Sequence, residues 1–303
     1  MGRDEQNGAM GSLIGAIEAG GTKFVCAVGS GPKDLPLVER FPTTTPAETL
    51  ARCAAFFREA EAELGQKIDA LGVATFGPAD VDPGSARFGT ITTTPKAGWA
   101  QADVLGPLRT AFSVPMAFDT DVNGAAVGEW LWGAGQGKRS VLYLTVGTGI
   151  GGGLCLDGRT LRGLSHPEMG HVRVARSPEE KVLFPGSCPY HGDCLEGLAS
   201  GPAIAARWGQ PAETLPEGHP AWALEAECLA QGLVQFVVTL SPEIVIVGGG
   251  VGSRPELFAP VREAVAALNN GYVPLPEIVP PGLGDRAGVL GALALGTQVL
   301  NAK

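Results

Sequence analysis

VLYLTVGTGIGGGLCL (residues 141–156) reads as a strand from Val141 to Val146, a glycine-rich turn from Gly147 to Gly153, and a returning strand from Leu154. Glycine at the turn accepts backbone conformations closed to other residues and lets a second group approach the main chain. LIGAIEAGGTKFVCAV (residues 13–28) repeats the plan: an apolar run, the turn Gly20-Gly21-Thr22-Lys23, and a second apolar run from Phe24. Two such hairpins in one chain predict an internal duplication, with two α/β halves each presenting a glycine turn to a shared cleft. Successive turn N–H groups, with hydroxyls from Thr22, Thr145 or Thr148, suit a polyphosphate. Neither turn has the spacing of a P-loop, and no G-x-G-x-x-G leads from a strand into a helix.

Outward from the hairpins, helical spacing covers 46–64, 101–112, 125–132, 202–208, 222–240, 260–268 and 287–300. Strands are expected at 69–75, 114–118 and 243–247, with a polar loop at 90–99. The strand at 114–118 runs into Asp119-Thr120-Asp121-Val122-Asn123. Carboxylates between a strand's C-terminal end and a helix stand where open α/β sheets place chemistry, although one of the two acids is expected only to cap the helix. The strand at 243–247 ends in Gly248-Gly249-Gly250, either a flat floor for a planar base or close helix–strand packing.

Three of the four histidines and two of the six cysteines fall within HPEMGHVRVARSPEEKVLFPGSCPYHGDCLEGLASGP, residues 166–202. His171, Cys188, His191 and Cys194 give H-x16-C-x2-H-x2-C, a ligand set for a closed tetrahedral zinc. The bland alternative is two buried thiols beside loop histidines. Four protein ligands leave no open position for an activated water, so the zinc is expected to be structural. Glu168 and Glu196 flank it, and fixed carboxylates suit a polyhydroxyl ligand such as a sugar.

The net charge of −9 and pI near 5.0, with no Lys/Arg block, argue against a nucleic-acid partner. No uninterrupted apolar run of membrane-spanning length is apparent, so no membrane partner is expected. MGRDEQNGAMGS (1–12) lacks an export signal's apolar core and reads as a disordered leader, which makes reduced cysteines and a cytoplasmic location the expectation.

Taken in order, IEAGGTK, TTTPKAGW, DTDVNGAAVGEW, LTVGTGIGGG, HPEMGH, CPYHGDCLEGLASGPAI and IVIVGGGV resemble the ROK family of sugar kinases, closest to its bacterial fructokinase branch. The resemblance implies a duplicated actin-like (ribonuclease H-like) ATPase fold, with two lobes around a central cleft. The N-terminal lobe is expected over 13–122, with the helix at 287–300 packing back on it. The C-terminal lobe, with the zinc loop, is expected over 123–286. The resemblance makes Asp121 the base that takes the sugar hydroxyl's proton as it attacks ATP. It puts Thr120, Glu168, His171, Glu196, Gly77, Thr94 and Lys96 on the sugar. It puts Gly20, Gly21, Thr22, Lys23, Thr145, Gly147, Thr148 and Gly149 on the phosphates, Gly248, Gly249 and Gly250 at the adenosine, and Mg²⁺ between phosphate oxygens. His171 would then serve zinc with one ring nitrogen and sugar with the other. A homodimer is expected from the resemblance alone. The sequence departs from the family pattern at Glu18, where many members carry Asp, and in C-x2-H-x2-C, which replaces a cysteine-rich segment. Fructose, ATP and Mg²⁺ are the expected reactants. The alternatives are mannose or glucose as the sugar, or a sugar-sensing regulator, for whose DNA-binding helices the short polar leader is expected to leave no room.

Overall fold

A computed structural model describes residues 11–302; residues 1–10, most of the expected leader, lie outside the described residues. The first half contains β1 (Ile14–Ala19), β2 (Lys23–Gly29), β3 (Leu37–Pro42), α1 (Pro46–Leu64), β4 (Ala70–Thr75), α2 (Leu105–Ala111) and β5 (Met116–Thr120). Then follow α3 (Asp121–Trp132), β6 (Ser140–Val146), β7 (Ile150–Leu156), β8 (Arg159–Thr160), α4 (Pro178–Leu183), α5 (Leu195–Ala199) and α6 (Gly201–Trp208). The chain continues through α7 (Pro220–Leu240), β9 (Ile244–Gly248), α8 (Gly249–Gly252), α9 (Pro255–Asn269), β10 (Glu277–Val279) and α10 (Ala287–Asn301).

The strands form two five-stranded sheets, ordered β3-β2-β1-β4-β5 and, read in the same sense, β8-β7-β6-β9-β10. In each, the first strand pairs antiparallel with the second and parallel with the fourth. The duplication signalled by the two glycine hairpins therefore extends to both whole sheets.

Strand alternation builds the layers, because successive side chains point to opposite faces. Ile17, Phe24, Cys26, Leu71 and Val73 face outward onto α1 and α2, packing with Leu50, Phe57 and Leu108. Ala16, Val25, Ala27, Ala70 and Ala74 face inward onto α3 and α10, against which Val141, Tyr143, Ile244 and Ile246 of the second sheet also pack. The outer face of the second sheet, through Leu142, Leu144, Val245 and Val247, meets residues of α7 and α9. The middle helices touch backbone to backbone. A methyl group on Gly291 would lie 2.4 Å from the carbonyl carbon of Gly124, and one on Gly128 would lie 3.0 Å from the Gly291 Cα. This close approach accounts for much of the small-residue content of α3 and α10.

Several boundaries differ from the sequence expectation for identifiable reasons. The helix expected at 101–112 is confined to Leu105–Ala111: Gln101 has φ 63°, outside the helical region, and Asp103 accepts the Gly106 N–H at 2.8 Å. α3 starts at Asp121, four residues early, because the Thr120 hydroxyl accepts the Asn123 N–H at 3.2 Å as an N-cap. α9 begins at Pro255 and continues through Pro260, since Leu257, Phe258, Val261 and Val265 form one buried face. α7 is long and apolar enough to cross a membrane, with mean hydropathy 1.3, yet Trp222, Leu229, Leu233 and Phe236 along it are core residues.

Candidate active site and His/Cys centre

Asp119 and Asp121 leave the end of β5 on opposite errands. The Asp119 carboxylate is fully buried. Its Oδ1 accepts from the Thr120 N–H at 2.8 Å and Asn123 Nδ2 at 2.7 Å, and its Oδ2 accepts from the Thr160 hydroxyl and Arg162 Nη2, both at 2.8 Å. These four bonds saturate it, so Asp119 holds β5, α3 and β8 together. Asp121, the first residue of α3, accepts only the Val122 N–H, at 2.9 Å. Burial pushes its carboxyl up to about 7, opposed by that N–H and reinforced by the nearby charge of Glu18.

Asp121 lies where two clefts meet, sharing both with Val122 and Thr145. The first cleft, about 900 Å³, takes Gly77, Thr120, Gly147, Thr148, Gly149, Glu168, His171 and Glu196 from the expected site residues. Glu196 is fixed by the Ile150 N–H, which its Oε2 accepts at 2.9 Å. Glu168 stands between two imidazoles, 3.6 Å from His166 Nδ1 and 3.8 Å from His171 Nε2. Its burial raises its pKa, opposed by the two histidines. From the 90–99 loop, Thr93 and Pro95 line the cleft, whereas Thr94 and Lys96 do not. The Thr94 hydroxyl instead accepts the Lys96 N–H at 3.2 Å within the turn.

The second cleft, about 740 Å³, is lined by Glu18, Lys23, Thr145, Gly249 and Gly250, with Arg40, Tyr143, Ser253, Arg254 and Asp285. Burial raises the pKa of Glu18, while Lys23 and Arg40 draw it back down. Gly20, Gly21 and Thr22 form the adjoining hairpin turn, closed by the Gly20 N–H to Lys23 carbonyl bond at 2.9 Å, and do not line the cleft itself. Gly248 also stands back from it, its Cα hydrogen facing the Tyr143 hydroxyl, which a methyl would approach to 2.4 Å. Gly249 has φ +86°, and a Cβ there would lie 2.4 Å from the Val146 carbonyl oxygen; only glycine fits. Tyr143 was not among the expected site residues, although its spacing of two from Thr145 puts both on one face of β6. His166, Arg40 and Arg254 carry no comparable local signal.

His171, Cys188, His191 and Cys194 converge beside the first cleft, their ligand atoms all within 4.8 Å of one another. His171 Nδ1 is 3.4 Å from Cys194 Sγ, 3.8 Å from Cys188 Sγ and 3.2 Å from His191 Nδ1, and Cys188 Sγ is 3.7 Å from His191 Nδ1. A tetrahedral ion with bonds of roughly 2.0–2.3 Å has ligand–ligand edges of about 3.3–3.8 Å, so the cage fits a zinc-sized ion. Both imidazoles offer Nδ1, which leaves His171 Nε2 facing Glu168 and the cleft. The knuckle folds back on itself through paired Cys188 and Gly192 backbone bonds of 3.1 and 2.9 Å.

Two repeated sheets enclosing a cleft between them are the actin-like ATPase fold. The chain belongs to the ROK family, whose profile matches residues 14–299. It is 45% identical to a putative fructokinase of Bacillus subtilis, the alignment covering 96% of this chain and 97% of the relative. It is also 45% identical to a fructokinase of Zymomonas mobilis, over 95% and 98% of the two chains. Among solved structures, a ROK hexokinase from Thermus thermophilus superposes with a TM-score of 0.80 at 29% identity, covering 96% of this chain and all of the other. A ROK glucokinase from Streptomyces griseus, in complex with glucose and AMPPNP, gives 0.74 at 26% identity over 95% and 100%.

Proposed function

We propose that the protein transfers the γ-phosphoryl group of ATP to the 6-hydroxyl of fructose. The observation that carries this reading is the position of Asp121, a largely desolvated carboxyl at the junction of an acid- and histidine-walled cleft with a glycine- and cation-walled one. The fructokinase relatives, 39–45% identical over most of their lengths, support fructose as the sugar.

On this reading Glu168, Glu196 and His171 hold the sugar hydroxyls. Asp121 orients the attacking hydroxyl and takes its proton late, as the acceptor's pKa lies far above that of a carboxyl. Lys23, Thr145 and the backbone around Gly147–Gly149 face the phosphates, and Gly249–Gly250 the adenosine. Bound Mg²⁺ supplies charge neutralisation at the phosphate oxygens, and Glu18 with Asp121 are the acids that would stand near it. Zinc in the His/Cys cage would be structural, fixing the ring of His171 and through it Glu168.

ADP release over fructose, mannose, glucose and N-acetylmannosamine, with zinc quantified on the same sample, tests the proposal. A fructose preference with about one zinc per chain is expected. Preference for glucose or mannose would move the error to the cleft walls and keep the kinase chemistry. A folded, zinc-loaded protein that turns over no sugar would overturn it.

A further inference from the structure

His166 carries more contacts than a loop histidine needs. It is 6% exposed, and its Nε2 accepts the backbone N–H of Ala79 at 3.1 Å, a bond between residues 87 positions apart. Ala79 follows Phe76, Gly77 and Pro78, which leave β4 and line the first cleft together with His166, Pro167, Glu168 and His171. A Cβ on Gly77 would lie 3.4 Å from the ring's Cε1, so the imidazole packs on bare backbone there.

An amide N–H can only donate, so Nε2 is the acceptor and the ring proton sits on Nδ1. Nδ1 faces the Pro167 carbonyl at 3.3 Å and Glu168 Oε1 at 3.6 Å. One imidazole thus joins the two cleft-lining loops and stands beside the Glu168 carboxylate. None of these contacts involves the His/Cys cage, which reaches Glu168 from its other side through His171 Nε2.

We infer that His166 is a positioning residue for the sugar: it aims the Glu168 carboxylate and, through Ala79, fixes the 76–79 loop against the 166–171 loop. The inference rests on the sugar-kinase reading above. A misplacement of about 1 Å in a substrate-holding group can cost on the order of a hundredfold in rate, so the loss of this ring is read in the sugar parameters.

The test compares His166→Ala with His166→Gln, whose side-chain oxygen reaches the Nε2 position and can accept the Ala79 N–H. We expect His166→Ala to raise the fructose KM at least roughly tenfold, with the ATP KM and zinc content within about twofold of the parent. We expect His166→Gln to recover most of the loss, together with the hydrogen-exchange protection of the Ala79 amide. A fructose KM within about twofold of the parent in His166→Ala would overturn the inference. So would a parallel rise in both KM values without rescue by Gln, which is the signature of a loosened fold. Absence of turnover on any sugar by the parent chain sinks the kinase reading instead. Calorimetric fructose affinity then replaces KM, and the same comparison of the two variants decides the role of His166.

Discussion

Asp119 and Asp121 are the same chemical group two residues apart, and their surroundings give them different chemistry. Four donors commit Asp119 to the framework, while Asp121, partly buried with a single N–H on its carboxyl, is pushed up to about 7. If Asp121 is the base proposed above it must be ionised, so kcat/KM for fructose should climb as pH rises towards about 7 and level off above it. Asp121→Asn should remove that limb and cost roughly 10²–10⁴-fold in rate. The same shift has a stability sign. The folded pKa lies above the unfolded value of about 3.9, so the folded state holds the extra proton between them, and this group destabilises the fold increasingly as pH rises through that window. Asp121→Asn should therefore melt higher than the parent, by a margin that grows between pH 5.5 and pH 8. A margin that shrinks would contradict the burial of this acid. Strand-end position marked Asp119 and Asp121 together, and only the family resemblance singled out Asp121. Thr94 and Lys96 were not separable from Thr93 and Pro95, because an irregular loop has no periodicity to say which side chains turn inward.

The knuckle between Cys188 and Cys194 is a small element with little core of its own: Cys188, Cys194 and Leu195 are buried, while Tyr190 is 65% exposed. Its geometry rests on the His/Cys cage, and α5 follows from Leu195, presenting Glu196 to Ile150. If the cage holds zinc as proposed, Cys194→Ser should lose it and weaken fructose binding about 10–100-fold, the usual cost of disturbing a supporting shell. Calorimetric affinity for a non-hydrolysable ATP analogue should change far less, since the second cleft shares no ligand with the cage. Equal losses on both sides would mean that the cage supports the whole fold rather than the sugar wall. The cage was legible because its spacing is dictated by coordination chemistry. By contrast, β3 alternates partly buried and exposed positions at a sheet edge, and β10 is three residues long; neither has the apolar run that marks β6 or β9.

At the scale of the molecule, two sheets flank a shared layer made by α3 and α10, and the cleft opens where that layer meets the glycine hairpins. The Gly124–Gly291 contact brings α3 and α10 backbone to backbone within the layer between the two sheets. Closure on sugar would expel water from the γ-phosphate. ATP hydrolysis without fructose should accordingly run at least roughly an order of magnitude below phosphoryl transfer with it. Comparable rates would mean that the cleft does not gate water. The duplication was legible in two glycine hairpins, but the depth of contact between its halves was not. That depth depends on which small residues of distant segments meet, a long-range property absent from local pattern.

α10 supplies much of the inner lining of β1, β2 and β4, although among the described residues it is the last helix and β1 the first strand. On the ribosome, Ile14, Ala16 and Ala70 are made long before their partners Leu290, Ala292 and Leu293. At roughly 5–20 residues per second, α10 follows that apolar face by tens of seconds. The inner face of the first sheet therefore cannot be fully covered until α10 has been made. Until α10 emerges, the part of the inner face that it covers is apolar surface open to a chaperone.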